Sequence, residues 1–303
     1  MAPVVSLIVC TRDRATQLQG CLSAIACLKF GQSWELVLVD NGSTDTTADI
    51  VREFAAGAAF PVKYVYEGAP GTGHARNAGV LASMGSLLAF TDDDCYVAED
   101  YLERLVAYFA DPKLGYLTGR ILLHDRTDYP STINESREPL TFQPFGYIRP
   151  GAVKSANMAF RREAMTAIGG FDPLFGAGAV FFGAEDCDVA ARASRAGWVG
   201  KYTPDVTVSH HHGRKRDAMN QLWRGYDISR GAYHTKLLCE GAVASSLRGW
   251  SELLHRARSR PVSVYWELVG ALRFLVVAAQ QRWSKIPGLN RWTASPVRSS
   301  PLR

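Results

Sequence analysis

The chain has 303 residues, of which 47% are apolar and 21% charged, with 27 glycines and 14 prolines. This composition excludes a disordered, collagen-like or disulfide-rich chain, and no period of about 20 to 50 residues recurs that would mark a repeat array. The net charge of +5 is unevenly divided, because residues 213–303 contain 16 Lys and Arg against 5 Asp and Glu, whereas residues 1–212 contain 18 against 24. The acidic part therefore has carboxylates available for a metal, and the basic part is either a solvated face or the contact for an anionic partner such as phospholipid or nucleic acid.

The six cysteines contain no Cys-x-x-Cys pair, and the first residues, MAPVVSLIVCTRDR, lack a charged leader and a cleavage site. We therefore expect reduced thiols in a cytoplasmic protein without a zinc cluster. The longest apolar stretch, residues 268–279, is interrupted by Arg273 and is shorter than the ~20 residues that span a bilayer. No transmembrane helix is expected.

The N-terminal third alternates apolar runs with amphipathic segments. The predicted strands are VVSLIVC, ELVLVD, VKYVYE and LLAFTD, and the predicted helices cover residues 14–28, 45–56, 73–84 and 99–109. Because the strands are nearly continuous apolar runs, they favour a parallel sheet covered on both faces. The pattern predicts a doubly wound α/β fold with its ligands at the carboxyl ends of the strands.

The periodicity weakens after this region. Residues 114–150 are expected to form a mixed segment with a long loop over the site. A short strand at 156–160 and a helix after Arg162 follow, then a helix with an acidic start in GAEDCDVAARASRAG, and strands at 200–202 and 206–209 that end at three histidines.

Beyond residue 213 the pattern predicts helices over 217–237 and 262–283. The second helix has one broad apolar face, formed by Tyr265, Leu268, Val269, Leu272, Leu275, Val276 and Ala279. With Trp266, Trp283 and the neighbouring arginines, this face suits a membrane interface, its own domain or a second subunit in a homo-oligomer.

Three adjacent carboxylates, Asp92, Asp93 and Asp94, follow the apolar run LLAF. Clustered carboxylates repel one another unless a cation compensates them. Side chains alternate along a strand, so Asp92 and Asp94 can share one face and bind one Mg²⁺ or Mn²⁺. Alternatively, Asp94 begins a turn or caps the next helix.

Further polar motifs lie at the ends of other predicted elements. Asp40 ends ELVLV and can accept hydrogen bonds from a base or ribose, while the residues after it suit a turn and a helix cap. Residues 71–79, GTGHARNAG, permit close backbone approach and place Arg76 and Asn77 toward a diphosphate or the acidic cluster, although a helix start with a structural arginine explains them as well.

A pair of acids and three histidines complete the candidate residues. Glu185 and Asp186 open a helix, where an acid can cap the helix or act as a general base. His210, His211 and His212 lie on an extended segment and cannot all face one ion, so one of them, His210 or His212, is expected to supply a nitrogen ligand.

The ordered series CTRDR, LVDNGSTD, HARNAGV, FTDDDC, SANMAFRRE, GGFD, EDCDVAARASRAG and SHHH resembles family 2 glycosyltransferases of the GT-A fold, over about residues 4–213. The resemblance implies a Rossmann-like, mostly parallel sheet in a domain at 1–213, with a nucleotide-binding half at 1–115 and an acceptor-binding half at 116–213. Residues 214–303 would form a basic, mainly helical extension.

The resemblance also assigns residues to roles. Asp186 would be the catalytic base with Glu185 beside it, and Asp92, Asp94 and His210 would hold Mn²⁺ or Mg²⁺. The nucleotide sugar would contact Thr11, Arg12, Asp13, Asp40, Arg76, Asn77, Asp92 and Asp93. Donor sugar or acceptor would contact Ser155, Ala156, Asn157 and Met158.

These assignments imply a single displacement with inversion. One sugar would move from a nucleotide sugar, preferably a UDP-sugar, to a hydroxyl in a glycan, lipid-linked saccharide or metabolite. The Q-x-x-R-W motif of processive synthases is absent, since Gln221-Leu222-Trp223-Arg224 has the wrong order. The alternatives are a sugar-nucleotide nucleotidyltransferase, which the missing G-x-G-[ST]-R loop disfavours, and a catalytically silent scaffold or anionic-surface binder. No nucleic-acid module is recognisable in the basic tail, and the location is expected to be cytoplasmic or peripheral on the inner face of the cell membrane.

Overall fold

One nine-stranded sheet organises the chain up to residue 210. The structure is a computed structural model and describes residues 2–283. The strands run in the spatial order β3-β2-β1-β4-β8-β6-β9-β5, with β7 paired to β9. Their bounds are β1 Val5–Thr11, β2 Trp34–Asp40, β3 Val62–Tyr66, β4 Leu87–Asp92, β5 Cys95–Val97, β6 Leu114–Leu123, β7 Leu140–Phe142, β8 Met158–Arg161 and β9 Val199–His210.

Four neighbouring strands at one end of the sheet run parallel, as the apolar runs predict: β3, β2, β1 and β4. The second half of the sheet is mixed: β8 runs antiparallel to β4 and β6, whereas β6 and β9 are parallel. Residues of β1 alternate between two buried clusters, with Ile8 in one and Leu7 and Val9 in the other. Both faces of the sheet are therefore covered, which accounts for the apolar runs.

The helices flank the sheet and then extend beyond it. They are α1 Ala15–Ala26, α2 Thr47–Gly57, α3 Thr72–Ala82, α4 Tyr101–Tyr108, α5 Arg162–Ile168, α6 Glu185–Arg195, α7 Met219–Cys239, α8 Val243–Ser259 and α9 Val262–Trp283. Close packing of α3 on the sheet requires a glycine, because a Cβ at Gly79 would lie 2.5 Å from Ile8 Cγ2.

Three elements differ from the sequence prediction. Residues 114–123, expected to be irregular, form the ten-residue strand β6, and the two strands predicted between 200 and 209 are one strand, β9. Helix α8 was not predicted from the periodicity. In each case partners distant in the chain supply the hydrogen bonds or the packing surface, which a local pattern does not reveal.

The C-terminal helices share a core with the sheet. Ile228 and Tyr233 of α7 and Phe274 of α9 belong to the same buried cluster as Ile8, and Phe274 lies 5.9 Å from the ring of Phe181. The predicted boundary at residue 213 thus marks a change of charge and secondary structure within a continuous core. The part of the predicted extension at 284–303 lies outside the described residues.

The orientation of α9 excludes one of the three alternatives for its apolar face, packing against its own domain. Its predicted apolar face points outward, with Tyr265, Leu268 and Leu272 at least half exposed, and the opposite face packs against α7. Within the part of the chain that the structure describes, Val262–Gln280 is one helix long and apolar enough to cross a membrane, by length and composition alone. The estimate of 268–279 for its apolar length was therefore too short.

Candidate active site

The carboxyl ends of three neighbouring strands meet at one edge of the sheet. In register, Thr11 of β1 lies opposite Asp40 of β2, and Cys10 lies opposite Asp92 of β4. A cavity of about 550 Å³ opens over this edge, a volume within the range of ligand sites. Among the predicted site residues, it is lined by Thr11, Arg12, Arg76, Asp92, Asp93, Asp94, Ser155, Ala156, Glu185, Asp186 and His210.

The acidic cluster contains a group of potential metal ligands. Asp92, Asp94, Cys95 and His210 each place a ligand atom within 4.8 Å of the others. His210 Nε2 lies 3.1 Å from Asp94 Oδ1, and Asp92 is the most accessible of the three predicted ligands, with about a third of its side chain exposed. Carboxylate oxygens with one imidazole fit a divalent cation such as Mn²⁺ or Mg²⁺.

Arg14 offsets part of the negative charge of the three carboxylates, a contact that was not predicted from the sequence. Its guanidinium donates to Asp94 Oδ2 at 2.7 Å and lies 3.4 Å from Asp93 Oδ1. Burial raises the pKa of Asp94, but its hydrogen bonds with His210 and Arg14 outweigh that effect and hold the pKa well below its usual value. Burial raises the pKa of Asp93 to about 7 although Arg14 opposes this, and Asp93 accepts a 2.7 Å hydrogen bond from Thr11 Oγ1.

Arg76 joins the acidic cluster to the opening of α6. This buried guanidinium donates to Glu185 Oε1 at 2.9 Å and to Asp92 Oδ1 at 3.3 Å. Burial alone would lower the pKa of Arg76, but the two carboxylates raise it above its usual value, so the side chain stays charged. Glu185 is therefore held in an ion pair.

Asp186 has a different environment from Glu185. Its Oδ1 accepts a 2.7 Å hydrogen bond from the Cys187 amide and its Oδ2 a 3.3 Å bond from the Ser155 amide. Burial, followed by the charge of Glu185, raises the pKa of Asp186 to about 7. A carboxylate with this pKa, facing a cavity, is suited to accept a proton near neutral pH.

The three histidines separate as the extended geometry requires. His210 reaches Asp94, whereas His212 Nδ1 lies 3.7 Å from the buried carboxylate of Asp128. His211 Nδ1 hydrogen-bonds the hydroxyl of Tyr96 at 2.9 Å. Of the two candidates for a metal ligand, the structure brings His210 to the acidic cluster.

Two of the predicted nucleotide contacts lie outside the cavity lining. Asp40 is buried and accepts hydrogen bonds from the Ser43 amide and the Tyr64 hydroxyl at 2.7 and 2.6 Å. Asp13 is partly exposed and accepts the Thr44 amide at 2.7 Å. Both carboxylates thus order the loop after β2, and a direct nucleotide contact by either remains a prediction.

Three further residues are also outside the lining and have structural roles. The amide of Asn77 makes two hydrogen bonds with the backbone of Phe171, at 2.9 and 2.8 Å. Asn157 is fully buried and donates to the carbonyls of Arg120 and Val206, and Met158 is fully buried in the core. These contacts give the three residues roles in the fold, and their assignment to substrate contact stays a prediction.

A comparison with protein-family models matches residues 6–168 to Glycosyl transferase family 2. The chain belongs to this family. Glycosyltransferase AglE of Haloferax volcanii is 28% identical over 214 residues, which cover 69% of this chain and 67% of AglE. The chain spans only 29% and 31% of two other curated relatives.

Solved structures place this family 2 glycosyltransferase in the GT-A fold. The mannosyltransferase PcManGT from Pyrobaculum calidifontis, in complex with GDP-Man and Mn²⁺, has a TM-score of 0.62 at 19% identity and covers 94% of this chain and 89% of its own. S. aureus TarS 1–349 in complex with UDP has a TM-score of 0.56 at 15% identity and covers 95% and 94%.

In this family 2 glycosyltransferase, α7 supplies part of the site that the sequence analysis missed. Tyr226, Ser229 and Arg230 of α7 line the cavity, together with Lys154 and Arg214 from loops. The spacing of Tyr226, Ser229 and Arg230, three and four residues apart, puts them on one helix face. That spacing was the available signal, but it does not show which side of the helix faces the cavity.

Proposed function

We propose that this glycosyltransferase transfers one sugar, with inversion, from a UDP-sugar to an acceptor hydroxyl in a glycan, glycolipid or metabolite. The observation that carries the proposal is the pair of unlike carboxylates at the start of α6. Glu185 is neutralised by Arg76, whereas Asp186 has a pKa raised to about 7 and lines the same cavity. A fixed ion pair beside an acid with a raised pKa matches the needs of charge stabilisation and proton transfer.

The donor diphosphate is assigned to the sheet edge. The cavity there is lined by Thr11 and Arg12 from the end of β1 and by Arg14 and Arg76 near the acidic cluster. Guanidinium groups bind phosphate oxygens through paired hydrogen bonds. Arg76 is already held by two carboxylates, so its charge is positioned before the donor binds.

The acceptor is assigned to the part of the cavity around Asp186. Ser155 and Ala156 line the cavity, as do Tyr226 and Ser229 of α7. Because the Ser155 amide donates to Asp186 Oδ2, the carboxylate has a fixed orientation toward the cavity. An acceptor hydroxyl within hydrogen-bond distance of this group is positioned for proton transfer.

The reaction is a single displacement. The acceptor oxygen forms a bond to the anomeric carbon as its proton passes to Asp186 Oδ. The bond between the anomeric carbon and the diphosphate oxygen breaks, and its electron pair leaves with UDP. Attack from the face opposite the leaving group inverts the anomeric centre, and no covalent enzyme intermediate is needed.

Asp92, Asp94 and His210 are the residues that would hold Mn²⁺ or Mg²⁺. When bound, the divalent cation would neutralise charge on the donor diphosphate. PcManGT, a structural neighbour, carries Mn²⁺ and GDP-Man. The Arg14 guanidinium donates a 2.7 Å hydrogen bond to Asp94 Oδ2. A metal that binds this oxygen would have to share it with Arg14 or displace the guanidinium.

A UDP-sugar is the preferred donor, supported by the TarS complexes with UDP and UDP-GlcNAc. GDP-sugars are the first alternative, because PcManGT binds GDP-Man. A cytoplasmic location, with access to soluble donors, remains a prediction.

The donor class is tested by calorimetric titration of the purified chain with UDP, dTDP and GDP, each with Mn²⁺ and with EDTA. We expect UDP to bind with Mn²⁺ and to lose at least tenfold in affinity in EDTA. Asp49→Asn, on the exposed face of α2, is the matched control and should bind as the native chain does.

Sugar derivatives of the nucleotide that binds are then supplied as donors. Glycans, glycolipids and small hydroxyl compounds are supplied as acceptors, and release of the nucleotide is measured. Anomeric configuration of the product, read by NMR, tests inversion. Metal-dependent binding of GDP alone would replace the donor assignment, and a product of retained configuration would refute the single displacement. A folded sample that binds none of the nucleotides would refute the proposal as a whole.

A further inference from the structure

Helix α9 has one buried stripe that faces α7. Ser263, Glu267 and Phe274 are each at most 6% exposed, and Gly270 lies in the same stripe. They recur at intervals of four, three and four residues, which places them along one side of the helix. The centre of this stripe is small and polar, whereas the predicted apolar face lies on the opposite side of the helix.

The contact between α7 and α9 is close and specific. A Cβ at Gly231 of α7 would lie 1.8 Å from the Glu267 carbonyl, and one at Gly270 of α9 would lie 1.9 Å from the Ile228 carbonyl. The buried carboxylate of Glu267 accepts hydrogen bonds from Arg230 and Arg256 at 3.0 Å each. Separation of α9 from α7 would break these ion pairs and the close helix contact, so α9 stays on the enzyme.

The outward side of α9 is a continuous apolar arc. Five large side chains there are between 48% and 65% exposed: Tyr265, Leu268, Leu272, Leu275 and Val276. At 100° per residue they span about 100° of the helix circumference, opposite the buried stripe. A surface helix in water usually turns polar residues outward, and an exposed apolar area of this kind marks an interaction site.

The charge around this arc indicates the partner. Arg258 precedes α9 and Arg273 lies at the edge of the arc, and both are exposed. In the sequence, Arg282 and Lys285 follow, and residues 213–303 carry 16 basic against 5 acidic residues. Apolar side chains bordered by cations match a membrane with anionic lipids, whereas a second copy of the chain would bring two basic regions together.

We propose that α9 docks the enzyme on an anionic phospholipid membrane, with the helix axis in the membrane plane and the outer arc among the lipid headgroups. The helix is long enough to span a bilayer. However, spanning would expose the Glu267 side of the helix to hydrocarbon and break its ion pairs. In-plane binding leaves these pairs intact.

Docking would hold the cavity near the membrane. Helix α7 packs against α9 and contributes Tyr226, Ser229 and Arg230 to the cavity lining, and Arg230 also donates to Glu267 of α9. The cavity is therefore about one helix diameter, ~10 Å, from the docked helix. This placement suits an acceptor carried on a lipid, a point that rests on the proposed function, whereas docking itself does not.

The test is flotation of the full chain with vesicles of phosphatidylcholine alone and of phosphatidylcholine with 30 mol% phosphatidylglycerol. We expect the chain to bind the anionic vesicles and to bind the neutral ones at least tenfold more weakly. Binding to the anionic vesicles should be lost in 0.5 M NaCl. The double variant Leu268→Gln, Leu272→Gln should bind at least tenfold less. Leu81→Gln on α3, where Leu81 is 48% exposed, is the matched control and should bind normally.

Further variants and measurements separate the alternatives. Arg258→Glu with Arg273→Glu should remove the preference for the anionic vesicles. Circular dichroism shows whether each variant is folded, and this control is independent of the proposed donor. Resistance of the vesicle-bound chain to carbonate extraction would show a spanning helix and overturn in-plane docking. Equal binding by the double leucine variant would overturn the role of the arc, and a lipid-free dimer that this variant dissociates would assign the arc to a second copy instead.

Discussion

Removal of the Arg76 guanidinium is expected to destabilise the fold strongly. Arg76 is 4% exposed and lies 2.9 Å from Glu185 and 3.3 Å from Asp92. In Arg76→Gln, the buried carboxylate of Glu185 would lose its partner, and breaking one side of a buried ion pair costs about 3 to 5 kcal/mol. That is a large part of the ~5 to 15 kcal/mol by which proteins are usually stable.

The assay is urea unfolding followed by circular dichroism. With a slope of about 3 kcal/mol per M, the midpoint should fall by roughly 1 M or more. Arg52→Gln removes an arginine whose ion pair with Asp49 is exposed, and such pairs contribute under about 1 kcal/mol. Adding Glu185→Gln to Arg76→Gln should recover part of the loss. A midpoint for Arg76→Gln no lower than that of Arg52→Gln would refute the reasoning.

Three other predictions use the same structure. Asp94→Ala removes one of the clustered ligand groups. Its nucleotide affinity in Mn²⁺ should therefore fall to the level that the native chain shows in EDTA. If calorimetry shows that Mn²⁺ still strengthens nucleotide binding by the variant, Asp94 is excluded as a ligand. Ellman's reagent should react rapidly with two thiols per native chain, the exposed Cys27 and Cys239, and with six after denaturation. Cys21, Cys95 and Cys187 are buried, and Cys10 is partly exposed but has a pKa that desolvation raises to about 12, so a third rapid thiol would contradict this account. Gly231→Ala should cost about 1 to 3 kcal/mol through overlap with α9, whereas Gly57→Ala, which meets no atom within 4 Å, should change stability little; equal unfolding midpoints would contradict the close helix contact.

The residues at the sheet edge could be predicted from the sequence because the end of a strand is recognised from a local pattern. Apolar runs ending in Thr11, Asp40 and Asp92 place each motif at a strand end, and parallel pairing then brings the ends together. The same pattern located the start of α6 within a residue or two, so Glu185 and Asp186 were found as a pair.

The remaining parts of the site depend on contacts between distant segments. Arg14 stands next to the CTRDR residues that were assigned, but its pairing with Asp94 spans 80 positions and leaves no periodic signal. The resemblance to family 2 glycosyltransferases assigned Asn157 to contact with the donor sugar or the acceptor. Instead the carbonyls of Arg120 and Val206 require donors inside the fold, and the Asn157 amide supplies them.

The central claim is that Asp186 accepts the proton of the acceptor. Its most direct test is the pH dependence of kcat for the donor and acceptor identified by the screen, with native chain and Asp186→Asn compared. Since the pKa of Asp186 is raised to about 7 and a base must be deprotonated to act, kcat of the native chain should rise as the pH increases through 7 and then level off. Asp186→Asn should lose about 10² to 10⁴ in kcat and keep its nucleotide affinity. A variant that transfers sugar at the native rate, or a native profile that is flat from pH 5.5 to 8.5, would contradict the assignment.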